Sequence, residues 1–150
     1  MSNKIVGLTS GHFDLIHYGH LHYLKRCKKL CDELIVGVDS DELTVKVKGP
    51  TSPIINQYER LELIRSLDFV DEAFILFDVK NLTEVCKNFK VNRVFKHQGY
   101  RKVDYIYGVD DTNASLVIVP DIPGLRSTTE IIARIQAVGT DSWAYKNGKL

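Results

Sequence analysis

No stretch of the sequence approaches the roughly 18 consecutive apolar residues of a membrane-spanning helix. Nor does the opening Met1-Ser2-Asn3-Lys4 resemble a secretory leader, because it runs straight into a short strand-like segment without a long apolar core. Cysteine is scarce and odd in number, with Cys27, Cys31 and Cys86 only, which excludes a disulfide framework. Cys27 and Cys31 share a helical face but lack further Cys or His neighbours for a metal, so they read as small buried thiols. Four prolines and 10 glycines among 150 residues exclude collagen-like, mucin-like and largely disordered chains. Neither charge sign is in excess: 20 basic and 19 acidic side chains leave a net +1. A polybasic nucleic-acid or membrane-surface binder would be far less balanced. The expected setting is a reducing cytoplasm, with no membrane insertion and no nucleic-acid partner.

What is present is an ordinary globular composition, 44% hydrophobic and 26% charged. The length suits one domain over residues 1–150, with 139–150 as a polar tail carrying Trp143 and Tyr145. Five apolar runs read as strands: Lys4 to Thr9, Leu34 to Val38, Val70 to Phe77, Arg93 to Lys96, and Ser115 to Val119. Helical periodicity follows Gly19, with Leu21, Leu24, Cys27 and Cys31 on one side. Further helices are expected over Asn56 to Ser66, with Tyr58, Leu61, Ile64 and Leu67 inward, and over Lys80 to Phe89, with Leu82, Val85, Cys86 and Phe89 inward. A last helix starts at Ser127, with Glu130 at capping-box spacing, and runs to about Val138. Residues 42–55 read as irregular, and 97–114 as mostly loop. This alternation predicts an α/β fold: a Rossmann-like five-stranded parallel sheet with helices on both faces. Ligands of such sheets gather beyond the C-terminal strand ends.

Gly11-His12-Phe13-Asp14-Leu15-Ile16-His17-Tyr18-Gly19-His20 follows the first strand. His17 and His20, three apart at a helix start, lie near free backbone N–H groups, a place that suits a phosphate. Gly19 would allow close approach of a phosphate or base. His22 is off that face and is expected in solvent. Spacing alone leaves three readings open: a phosphate site, a metal pair, or ordinary polar residues at a helix start.

The segment Gly-x-Phe-Asp-x-x-His-x-Gly-His resembles the signature of the cytidylyltransferase-like nucleotidyltransferases, and later segments match in order along nearly the whole chain. The resemblance implies that His17 and His20 contact a nucleoside triphosphate and stabilise charge during attack, and that Asp14 organises the site. It also implies nucleotide contacts by Thr9, Ser10, Gly11, Phe13 and Gly19. Members carry lysines after the second strand, which makes Lys46 the first candidate and Lys48 the second. Taken as an extended segment, 46–48 would put both on one face. Lys48-Gly49-Pro50-Thr51 looks like the heptose-phosphate adenylyltransferase branch. Gln57-Tyr58-Glu59-Arg60 resembles the family's Tyr-x-x-Arg helix and implies an acceptor or phosphate contact by Arg60. Gly124-Leu125-Arg126-Ser127-Thr128-Thr129 resembles the Gly-Ile-Ser-Thr-Thr segment, which implies Ser127 and Thr128 at the β- and γ-phosphates.

Two departures stand out. Asp121-Ile122-Pro123-Gly124 lacks the arginine that many members place ahead of the glycine, and Arg126 is the expected substitute. Lys96-His97-Gln98-Gly99-Tyr100 resembles a Lys-Gly-Gly-Asp-Tyr form, with His97 and Gln98 as replacements. Lys96 is then expected at the nucleotide, and His97, Gln98 and Tyr100 at the acceptor. The resemblance implies an enzyme, a homodimer using Mg2+, that transfers cytidylyl from CTP to a small phosphorylated polyol or sugar and releases pyrophosphate. The alternatives are adenylyl transfer from ATP and a non-catalytic nucleotide-binding regulator. An RNA-binding reading of Tyr100, Tyr105 and Tyr107 has little support.

Overall fold

A computed structural model describes residues 3–100 and 103–138. The expected tail, 139–150, and with it Trp143 and Tyr145, lies outside the described residues. Ten elements alternate along the chain: β1 (Val6–Gly11), α1 (Tyr18–Lys29), β2 (Glu33–Asp39), α2 (Asp41–Lys48), α3 (Gln57–Arg65), β3 (Glu72–Leu76), α4 (Asn81–Asn88), β4 (Arg93–His97), β5 (Ser115–Val119) and α5 (Thr128–Val138). The five strands form one sheet in the order β3-β2-β1-β4-β5. Every neighbouring pair is parallel. β1 pairs with β2 from Val6↔Glu33 to Gly11↔Val38, and β4 pairs with β5 from Arg93↔Ser115 to His97↔Val119.

Side chains alternate across this sheet and build a core on each face. Leu34, Val36, Val38 and Phe95 pack with Leu24 and Cys27 of α1 and with Leu61 and Ile64 of α3. Val6, Leu8, Ile35 and Val94 pack on the opposite face with Leu82 and Cys86 of α4. The helices therefore cover both faces. Phe95 crosses over β1 because Gly7 has no side chain: a Cβ there would lie 2.3 Å from the Phe95 ring. Cys27 and Cys86 are buried and Cys31 half-buried, and all three are free thiols. Burial pushes their pKa values up to about 12, 11 and 11, in the order Cys27, Cys31, Cys86, so they are unreactive.

The elements at 42–55 correct the sequence reading. The Val45-Lys46-Val47-Lys48 alternation suggested an extended strip, yet it belongs to α2. Ser40 caps this helix, its side chain accepting from Leu43 N at 3.1 Å, and Asp41 and Glu42 occupy the first turn. Gly49, at φ 99°, ends it. Only Thr44 of the helix is buried, so no sheet face competes for the valines. Lys46 and Lys48 consequently point about 160° apart around the axis rather than in one direction. Tyr58 and Phe89, expected inward, are exposed at 66% and 42% because each lies on the outer side of its helix end. β1 runs two residues further than expected at its C-terminal end, and β3 is confined to Glu72–Leu76. Residues 103–114 turn without a regular element, as expected, and bury Ile106 and Ala114. Among the described residues, no helix is long and apolar enough to cross a membrane.

Candidate functional site

The strand order places β1 centrally, flanked by β2 and β4, so the chain leaves β1 toward opposite sides of the sheet. The crevice above its C-terminal end is the switch point of the fold. A cleft of about 730 Å³ opens there.

The loop from β1 to α1 is held in a costly conformation. Phe13 and Leu15 both occupy the left-handed region, at φ 52° and 49°. Asp14 stabilises the loop from below: its buried carboxylate accepts from the backbone N–H groups of Ile54 at 2.7 Å and Ile55 at 3.0 Å. Phe13 turns inward to 5% exposure and meets the His20 ring edge-on at 5.6 Å. The two histidines then start α1 as a reciprocal cap. His17 Nδ1 accepts from Gly19 N at 3.1 Å, and His20 Nδ1 accepts from the His17 N–H at 3.2 Å. Their rings stack at 3.9 Å. The sequence suggested that Gly19 leaves room for a ligand. In the fold that room is taken by His17, whose ring a Cβ would meet at 2.8 Å, and by the Arg126 carbonyl at 3.2 Å.

The N-terminus of α5 closes the cleft from above. Ser127 and Glu130 form the capping box expected from their spacing, with Glu130 N donating to Ser127 Oγ and Ser127 N to Glu130 Oε2, both at 3.2 Å. Thr128 Oγ1 donates to the Asp14 carbonyl at 3.0 Å and lies 3.3 Å from His17 Nε2. These contacts assign the protons. Each Nδ1 accepts from a backbone N–H, so in both neutral rings the hydrogen resides on Nε2. His17 Nε2–H then donates to Thr128 Oγ1, and His20 Nε2–H has no acceptor among the described residues.

Both imidazoles are neutral at pH 7. Burial, then His17 and Lys48, holds the His20 pKa down to about 4, and burial lowers that of His17. His12, also facing the cleft, is lowered to about 4 by burial, Lys48 and Arg60. Burial raises the Asp39 pKa to about 6 against the pull of Lys96, Arg60 and Lys48. These shifts predict the acid stability of the fold. Between pH 6.5 and 4 the unfolded chain protonates His12 and His20 while the folded chain does not. That contribution is complete above pH 6.5 and is lost as the pH falls toward 4. Asp39 opposes it, being protonated below about 6 when folded. The balance is an uptake of about one proton on unfolding near pH 5, so the melting temperature should fall on acidification from pH 6.5 to 4.5. A midpoint that rises across this window contradicts the neutral histidines.

Most residues singled out in the sequence meet in this cleft: Ser10, Gly11, Phe13, Asp14, His17, Gly19, His20, Lys48, Lys96, His97, Tyr100, Arg126, Ser127 and Thr128 all line it. Lys96 is half-buried and lies 5.0 Å from the Tyr100 ring centre. Four candidates do not line it. Thr9 is buried, and its hydroxyl pairs with Tyr23 at 2.8 Å and with the Phe95 carbonyl. Lys46 is exposed and sits 3.3 Å from Glu42 one turn back, because α2 turns it away from Lys48. Arg60 is fully buried: Nε donates to the Ile55 carbonyl, Nη1 to the His12 and Asp39 carbonyls, and Nη2 to Asp41. Every arm of its guanidinium is used within the fold, which removes it from acceptor contact. Gln98 Oε1 accepts from Asp121 N at 3.1 Å and joins two loops. His22, expected in solvent, is half-buried at the cleft wall. The sequence reading did not single out His12, Asp39 or Tyr23 as lining residues. His12 stood inside the signature segment and Asp39 at the end of a buried run, which were the available signals.

A switch-point cleft lined by neutral imidazoles, two lysines and a helix N-terminus has the chemistry to receive phosphate groups. The sequence matches the cytidylyltransferase-like family over residues 8–134, so the chain belongs to that family. It is 36% identical over 134 residues to the bifunctional protein HldE of Caulobacter vibrioides, covering 88% of this chain and 27% of that protein. It is equally 36% identical over 128 residues to HldE of Desulfatibacillum aliphaticivorans, covering 83% and 26%. The chain thus spans about a quarter of the length of these relatives. A solved structure of a lipopolysaccharide core biosynthesis protein from Thermoplasma volcanium superposes with a TM-score of 0.63 at 30% identity, covering 80% of this chain and 98% of that one. The Francisella tularensis pantoate-beta-alanine ligase shares the fold, with a TM-score of 0.51 at 16% identity.

Proposed function

We propose that the chain transfers an adenylyl group from ATP to a small sugar phosphate and releases pyrophosphate. The observation that carries the transfer is the convergence of His20 Nε2–H, Lys48, Lys96 and the α5 N-terminus on one cleft. An oxygen of the acceptor phosphate attacks the α-phosphorus in line. The new P–O bond forms as the bond to the bridging oxygen breaks, and pyrophosphate departs with that oxygen. The acceptor is already an anion, so no protein nucleophile is needed. The residues align two anions and neutralise the charge of the crowded transition state. Imidazole N–H groups suit this role because they donate without requiring protonation, and the lysines supply the positive charge.

The choice of ATP over CTP rests on Lys48-Gly49-Pro50-Thr51, with its resemblance to heptose-phosphate adenylyltransferases, together with the likeness to a lipopolysaccharide core biosynthesis protein. CTP with a polyol phosphate is the second reading, in keeping with the match to the cytidylyltransferase-like family. Among the described residues, no group of three His, Cys, Asp or Glu side chains is placed to hold a metal. Mg2+ at a nucleotide site needs only one or two protein carboxylates, so an ion accompanying the substrate would be carried mainly by the triphosphate oxygens.

Calorimetry of ATP, CTP, GTP and UTP separates the readings. ATP is expected to bind at least about tenfold more tightly than CTP, a difference of about 1.4 kcal/mol. The reverse order returns the protein to cytidylyl transfer. Tight nucleotide binding without pyrophosphate release in the presence of any sugar phosphate identifies a non-catalytic regulator.

A further inference from the structure

A third imidazole faces the cleft with the opposite hydrogen-bond polarity. His12 Nδ1 lies 3.0 Å from Thr44 Oγ1 and 3.1 Å from Asp39 Oδ2. The carboxylate accepts only, so the ring hydrogen is on Nδ1 and the lone pair is on Nε2. Nε2 has no protein partner among the described residues. No buried side-chain nitrogen or oxygen there lacks one, so Nε2 must touch solvent, and His12 lines the cleft. Asp39 is itself held: its side chain is 12% exposed, and the guanidinium of Arg60 clamps the carbonyls of both Asp39 and His12. Burial keeps His12 neutral, with Lys48 and Arg60 acting in the same direction.

A neutral Nε2 lone pair repels phosphate oxygens and attracts an O–H group. His17 and His20 present N–H groups and attract those same oxygens. Lys48 lines the same cleft, and its charge acts on His12, His20 and Asp39. Val47, Val79 and Leu82 add an apolar wall to the cleft, suited to the C–H face of a ring or polyol chain. We propose that the His12–Asp39 pair is a specificity determinant, in which His12 Nε2 accepts a hydrogen bond from a hydroxyl of the phosphorylated acceptor and Asp39 holds the ring in the tautomer that does so. The acceptor class is then a polyhydroxy phosphate rather than a simple alkyl phosphate. This rests on the reading of the cleft as a transferase site for a phosphorylated acceptor. A site built to pair a substrate hydroxyl discriminates strongly against a ligand that lacks it, because a polar group is then left unpaired.

The test uses the full chain with ATP. The acceptor probes are mannose 1-phosphate, glucose 1-phosphate, ribose 5-phosphate and glycerol 3-phosphate, each set against ethyl phosphate. In His12→Ala the kcat/KM ratio of the best hydroxylated acceptor to ethyl phosphate should fall by about 10²-fold. The loss should lie on the hydroxylated side, and the Kd for ATP should stay within twofold. In Asp39→Asn the same ratio should fall by less, because the ring remains but its tautomer is no longer imposed. Long-range nitrogen–proton NMR of the wild-type imidazoles gives a second reading that needs no variant to fold: His12 should carry its hydrogen on Nδ1, and His17 and His20 on Nε2. An Nε2–H tautomer at His12, or an unchanged ratio in His12→Ala, overturns the assignment while leaving the transferase reading intact. Binding of ATP with no pyrophosphate released from it in the presence of any acceptor phosphate overturns the transferase reading, and the hydroxyl contact falls with it.

Discussion

Pyrophosphate release should drop by about 10²-fold or more in His20→Asn while the melting temperature stays close to that of the wild type. The two halves of this result come from the two nitrogens of one ring. Nδ1 closes the cap of α1 by accepting from the His17 N–H, and an asparagine Oδ1 can accept in its place. Nε2–H points into the cleft without a protein acceptor, and the shorter amide cannot extend a donor to that position. A donor aimed at charge that develops only in the transition state affects kcat more than nucleotide affinity. His20→Ala removes both functions and should add a stability loss of about 1 kcal/mol for the missing cap. Steady-state assays with melts on the same preparations separate the two variants. Turnover in His20→Asn within twofold of wild type removes this imidazole from the chemistry.

Arg60→Met should cost about 3–5 kcal/mol of folding stability, the scale for breaking a buried charged network on one side. Its removal strips several acceptors of a partner at once. The carbonyls of His12, Asp39 and Ile55 and the Asp41 carboxylate all take hydrogen bonds from this one guanidinium. They belong to the exits of β1 and β2, the start of α2 and the approach to α3. For a chain of this size the loss corresponds to a melting temperature lower by about 10 °C or more. Arg60→Lys should rescue little, since one ammonium cannot reach three carbonyls spread around a planar fork. Chemical denaturation of both variants checks the magnitude. An acceptor-binding arginine would behave in the opposite way, with stability unchanged and KM for the acceptor raised.

Much of this architecture was legible because local signals agreed with one another. Ser115–Val119 is a short β-branched run between turns, and Ser127 with Glu130 is a capping box ahead of an apolar period; both elements fall where the pattern puts them. Residues 41–48 misled because two periodicities compete there. Val45 and Val47 alternate with lysines as a strand would, while Ser40, Asp41 and Glu42 in front and Gly49 behind specify a helix. With no sheet edge to receive the valines, the caps prevail, and the lysine pair splits. Arg60 was illegible for another reason. A helical arginine in an acidic, exposed-looking stretch is ordinarily a surface residue, and only the folded positions of His12, Asp39 and Ile55 show that it has none of its arms free. The pairing of His12 with Asp39 likewise joins residues from two strand exits whose adjacency is created by the sheet order.

The histidine cap of α1 has a consequence for how occupancy is felt inside the protein. An imidazole is a conjugated ring, so an oxyanion that draws on the Nε2 hydrogen of His20 enriches the electron density at Nδ1. The His17 amide, which donates to that Nδ1 at 3.2 Å, is then gripped more firmly. Filling the cleft with an anion thus tightens the first turn of a helix whose inner side, through Leu24 and Cys27, is part of the core. The backbone amide of His17 becomes a built-in gauge of the ligand's charge, shifting downfield in its proton resonance and slowing in solvent exchange as the anion arrives.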